Sequence, residues 1–116
     1  MGDLDPQLRE ARRADVVDLA ESFTRAFEDD PAFSWIFPDR STRARRLGLY
    51  FRTLLAHEGI DHGVSDVAIV GTRIVGGSIW FRPGEWPPPI SRQLRELPAQ
   101  LLAFRGRLGV ATTWVR

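Results

Sequence analysis

The chain has 116 residues, a formal net charge of +1, 43% hydrophobic and 27% charged residues, and no cysteine. That length allows one domain with a real core, and the composition excludes a disordered charged tail. The lack of cysteine excludes disulfide scaffolds, thiolate zinc sites and cysteine nucleophiles, and leaves the redox compartment open.

Every cation apart from the two histidines is arginine, and acids nearly balance the arginines. The chain therefore has no basic excess of the kind nucleic-acid binders carry. No apolar run approaches the ~18 residues of a membrane-spanning helix. Met1-Gly2-Asp3-Leu4-Asp5-Pro6 has no basic start leading into an apolar stretch. The expectation is a cytoplasmic protein without a secretory signal, a membrane partner or a nucleic-acid partner.

Gln7 to Arg12 alternates weakly and predicts a short first strand. Asp15 stands where an N-cap or first-turn acid belongs. Val16, Leu19, Ala20, Phe23, Ala26 and Phe27 follow at helical spacing. Pro31 is expected to end that helix, because Asp30 before it is pushed out of the helical region. Asp29 to Pro38 then reads as a connector, with three aromatics between two prolines.

Asp39 or Ser41 is positioned to cap the next helix, whose apolar positions are Ala44, Leu47, Tyr50, Phe51, Leu54 and Leu55. The arginines between residues 40 and 52 are expected mostly on its other side, and Gly59 at the C′ position beyond its end. His57 and His62 are five apart with Gly59 between them, which is not the zincin spacing, so no metal is expected.

Val64 to Val70 and Arg73 to Arg82 predict two strands, joined by Gly71-Thr72 in a type II′ hairpin. Gly76 and Gly77 weaken the second of these unless a backbone must approach closely there. Pro83 to Pro89 is a stiff loop. A third helical pattern runs through Leu94, Leu97, Leu101, Leu102, Phe104 and Leu108, with Pro98 implying a kink or restart. The predicted class is α+β, in the order β-α-α-β-β-α.

Three segments in this order resemble the N-terminal half of a GNAT-family N-acetyltransferase. Leu8-Arg9-Glu10-Ala11-Arg12-Arg13-Ala14-Asp15 and the helix behind it are similar to that family's first strand and helix. Ala26 to Pro31 with Trp35-Ile36-Phe37-Pro38-Asp39 resembles the loop between its first two helices in one bacterial branch. The hairpin ending Ile74-Val75-Gly76-Gly77-Ser78-Ile79-Trp80 resembles its second and third strands. The likeness runs over most of residues 7–110. It implies a mostly antiparallel three-stranded sheet flanked by helices, and acetyl transfer from acetyl-CoA to a small-molecule or protein amine.

The family's phosphate loop follows a fourth strand and opens a helix with spaced glycines, because backbone N–H groups must reach the CoA pyrophosphate. Arg105-Gly106-Arg107-Leu108-Gly109-Val110 has the wrong spacing for it, with Leu108 in the place of the first glycine. The expectation is therefore one incomplete domain over residues 1–116, lacking strand 4 and the acyl-CoA loop. Such a chain is the acceptor-side half, inactive alone and without tight acetyl-CoA binding.

The resemblance places Phe33, Trp35, Phe37 and Trp80 along an acceptor pocket, where each is also explained as ordinary core. Asp29 and Asp30 could hold a cationic amine or help deprotonate it, and are also explained as turn residues before proline. No catalytic residue is assigned. The alternative is a non-enzymatic interaction or dimerisation module derived from a truncated acetyltransferase, pairing as a homodimer through the strand edge at residues 73–82.

Overall fold

The computed structural model describes residues 5–85 and 88–104. The Arg105–Val110 stretch and the Trp114-Val115-Arg116 end lie outside the described residues. The elements are β1 (Gln7–Glu10), a 3₁₀ turn (Arg13–Asp15), α1 (Val16–Phe27), α2 (Pro31–Ile36), α3 (Arg40–Leu54), a π-helical turn (Leu55–Gly59), β2 (Val64–Val70), β3 (Arg73–Trp80) and α4 (Ile90–Ala103). The fold is α+β, with four α-helices and one antiparallel sheet in the order β1-β2-β3 among the described residues.

The sheet is built around a tight hairpin. Val70 pairs with Arg73 across Gly71-Thr72, and only Gly71 of the two has a positive φ, +63°. That is the signature of the expected type II′ turn. Gly77 lies opposite Val67, where a β-carbon would overlap the Asp66 carbonyl oxygen and Leu19 Cδ1. The glycine thus lets α1 sit directly on β3. Gly76 meets open space and adjoins a bulge, since Ala68 pairs with Gly76 but Ile69 with Ile74.

β1 is tied to the start of α1 by one acid. Asp15 accepts from both terminal nitrogens of Arg9, at 2.7 and 2.9 Å, and from the Arg12 backbone N–H at 2.7 Å. The Arg9 hydrogen bonds outweigh the opposing burial, and with the Arg12 N–H they draw the Asp15 carboxyl down from 3.8 to about 2.

The connector between the first two long helices is itself a helix. Asp30 caps it, accepting from Ala32 N (2.9 Å) and Phe33 N (3.2 Å), and Pro31 occupies its first turn. Pro31 thus starts α2, whereas α1 is already capped at Glu28. The sequence Asp-Pro carries both a cap and a residue preset for N1. Asp39 caps α3 in the same way, accepting from Ser41 N and Oγ.

Arg43 departs from the expected outer face of α3 and is buried. Its Nε donates to Phe37 O (2.8 Å), Nη1 to Glu28 O (3.2 Å) and Nη2 to Pro38 O (3.2 Å). One guanidinium thus satisfies carbonyls at the ends of both α1 and α2, where a cation also suits the helix dipoles. Gly59 is not a left-handed stop either. It lies in the π turn against β2, where a β-carbon would stand 3.0 Å from Ser65 Oγ.

The core joins Leu19, Ala20, Leu47, Phe51, Leu55 and Val67 between α1, α3 and the sheet. The described helices cover the sheet face that carries Ser65, Val67 and Gly77. Leu8, Val64 and Trp80 alternate to the other face and are exposed. α4 runs without interruption through Pro98 and packs against α3, through Arg46 Nη1 donating to Ala103 O and Phe37 stacking near Phe104. Its leucines at 94, 97, 101 and 102 are exposed, while Ala103 and Phe104 are buried. Of the expected apolar positions that are described, only Phe104 is covered, and Glu96 and Ala103 are buried in place of the leucines.

Candidate functional site

The six acceptor residues expected from the sequence fall into four settings. Phe33 and Phe37 belong to an aromatic cluster that closes the end of α1, α2 and α3. Phe33 lies 5.6 Å from Phe27 and 5.8 Å from Tyr50, centroid to centroid. Phe37, 1% exposed, lies 5.1 Å from Phe104 with the Arg46 guanidinium over its ring. Asp30 is the α2 cap, and Asp29 makes a long, exposed ion pair with Arg40. Trp35 is 64% exposed on α2. The structure does not gather these residues around one cavity.

Trp80 stands apart, at the far end of the hairpin. It is 65% exposed, and its Nε1–H donates to Ser78 Oγ at 3.0 Å, which fixes the indole against the open sheet face. It borders a cleft of about 600 Å³ together with Asp61, His62, Gly63, Val64, Arg82, Gly84, Glu85 and Pro89. That is large enough for a small ligand.

Hairpin geometry explains this gathering. Val64 pairs with Trp80, so residues just before β2 and just after β3 must lie side by side. Gly63 permits it: a β-carbon there would stand 2.8 Å from the Trp80 carbonyl oxygen. Asp61 is held by the Arg13 guanidinium across the floor of the domain. The cleft therefore offers a flat apolar surface, an imidazole, a guanidinium and a second carboxylate, Glu85, around one opening.

Beside it lies a smaller pocket of about 80 Å³, lined by His57, Glu58, Asp61, His62, Arg95 and Glu96. Glu58 is only 1% exposed and Glu96 is also buried. Neither carried a positional signal in the sequence, because burial of a helical acid depends on where the next helix docks. Among the described residues no three His, Cys, Asp or Glu side chains group as a metal site.

Tyr50 faces the same interior. Burial, reinforced by the Glu96 charge, pushes its phenol up to about 12.

Asp30 and Asp39 already accept from the N–H groups at the starts of α2 and α3. An anion at either of these two helix starts meets a carboxylate instead of free donors. No protein-family model matches the chain, and no curated protein or solved structure is significantly similar to it.

Proposed function

We propose that the chain supplies the amine-binding side of a GNAT-type N-acyltransferase fold, with the amine acceptor seated in the cleft over Trp80. The observation that carries this reading is the element order itself. An antiparallel β1-β2-β3 sheet backed by α1 and α3 matches what the resemblance implies for the acceptor half of that family.

In this reading the Trp80 indole receives the apolar part or the cationic head of the acceptor. Glu85 and Asp61 attract a protonated amine, and His62 or a carboxylate takes the proton the amine must lose before it can act as a nucleophile. In this reading acetyl-CoA, the family's co-substrate, is held by residues that do not belong to this half of the fold.

The test has two arms on the intact chain. Calorimetry with acetyl-CoA is expected to give no micromolar binding, and a micromolar isotherm would sink the division of labour. Tyramine, as a probe amine, is expected to shift the Trp80 indole N–H resonance, and Trp80→Ala to abolish the accompanying shifts at His62. Unshifted spectra up to the millimolar range would remove the acceptor site. Because Trp80 is exposed, its loss is expected to change stability by less than about 1 kcal/mol, which separates a binding role from a scaffold role.

A second reading is favoured by one specific observation. β3 ends the sheet, and no described strand pairs with its outer edge. An interaction module uses such an edge.

A further inference from the structure

The cleft beside Trp80 carries a charge pattern that a plain amine does not use. Arg82 and Glu85 both line it. The Glu85 backbone N–H donates to the Arg82 carbonyl oxygen at 3.0 Å, and Gly84 between them has a φ of +85°. With Pro83 in the second position, that is a type II turn. Proline presets one central residue and glycine supplies the positive φ of the other. The turn therefore presents Arg82 and Glu85 from one stiff support, with Cα atoms under about 7 Å apart.

The two side chains are uncommitted. Both residues are exposed, and neither side chain forms an ion pair or a hydrogen bond among the described residues. Asp61, another carboxylate of the cleft, is already held by the Arg13 guanidinium. One open guanidinium and one open carboxylate thus stand on the same turn. The apolar part of the cleft lies next to them. Val64 and Trp80 are directly opposed across β2 and β3, so their side chains share one sheet face, and both are exposed.

We infer that the cleft, read as the amine-binding site, takes an α-amino acid with an apolar or aromatic side chain, held as the zwitterion. Glu85 accepts from the ammonium, Arg82 donates to the carboxylate, and the side chain lies over Trp80 and Val64. Charge balance favours this class over its neighbours. A protonated amine without an anion brings a second cation beside Arg82 and leaves the guanidinium unmet. A carboxylic acid without an amine does the same to Glu85. An amino acid carries both groups on one carbon, which suits two opposite charges on one turn. A peptide N-terminus meets Glu85 alone, because its first carboxyl is spent in an amide bond.

The test titrates the whole chain with three probes that share one ring and differ in charge: L-phenylalanine, L-phenylalaninamide and 3-phenylpropanoate. The Trp80 indole N–H resonance reads the binding. L-Phenylalanine is expected to bind about five- to tenfold more tightly than either of the others. Arg82→Gln is expected to reduce L-phenylalanine to the affinity of its amide while leaving the amide no weaker. Glu85→Gln is expected to reduce it to the level of 3-phenylpropanoate. Both side chains are exposed, so the circular dichroism of each variant is expected to match the wild type.

Equal affinity for L-phenylalanine and its amide, or a preference that survives Arg82→Gln, would overturn the zwitterion while leaving the cleft an amine site. Equal affinity for L-phenylalanine and 3-phenylpropanoate would overturn both, since the amine would then go unread. So would the absence of any Trp80 shift with all three probes up to the millimolar range.

Discussion

Asp15 joins the first strand to the first helix, and its removal tests that junction directly. Its carboxyl is held at about 2, against 3.8 for an ordinary aspartate, chiefly by the Arg9 hydrogen bonds and less by the Arg12 N–H. Each tenfold change in its acidity corresponds to about 1.4 kcal/mol, so the pairing stabilises the fold by at most roughly 2.5 kcal/mol. Arg9 is partly open to solvent, which screens the pair and reduces the expected value to about 1–2 kcal/mol.

The sign follows from the carboxyl being more acidic in the folded state. Such a group stabilises fully above about pH 4, and this contribution is lost as pH falls toward 2. Urea unfolding of the wild type and Asp15→Asn at about pH 7, 4, 3 and 2.5 measures it. The gap between the two is expected to be about 1–2 kcal/mol at pH 7 and to close as the pH falls. A gap that stays constant would show a steric cost instead, and no gap at neutral pH would show that the pairing contributes nothing.

Arg43→Met leaves three carbonyls without their donor, and is expected to cost about 2–4 kcal/mol in denaturant unfolding, with Arg43→Lys recovering only part. Gly77→Ala forces a methyl into the Asp66 carbonyl and Leu19, so it is expected to lose about 2 kcal/mol or more, whereas Gly76→Ala, in open space, loses less than about 1. A thermal melt of the pair decides whether close approach, and not strand propensity, places glycine there. Ultraviolet titration of the one tyrosine is expected to show phenolate only near pH 12, and earlier in Glu96→Gln, because burial and the Glu96 charge both oppose ionisation.

The parts of the fold that follow from local chemistry were legible in the sequence. The Gly71-Thr72 turn, the Asp39 cap and the helical period of α1 each depend on residues within a few positions of one another. What escaped depended on partners far along the chain. Arg43 reads as one more surface arginine until the ends of α1 and α2 converge on it. The α4 leucines read as a core stripe until α3, and not the sheet, takes the opposite face. Even α2 is within reach, since Asp30-Pro31 is a cap followed by an N1 proline, but read as the end of α1 the same proline leaves the segment a connector.

The candidate site divides along the same line. Phe33, Trp35, Phe37, Asp29 and Asp30 are neighbours in sequence, yet helix geometry sends two inward, uses one as a cap and leaves two in solvent. His62 is far in sequence from Arg82 and Glu85, yet all three line the cleft beside Trp80. The hairpin is the reason: a two-residue turn with Val64 opposite Trp80 makes the residues flanking those two positions neighbours, bulge or no bulge. A tight turn identified from Gly71 therefore identifies the opposite end as a meeting place for whatever polar residues stand there. Carried through, that rule points from a glycine at one end of the sheet to the cleft at the other, without any appeal to the aromatic loop.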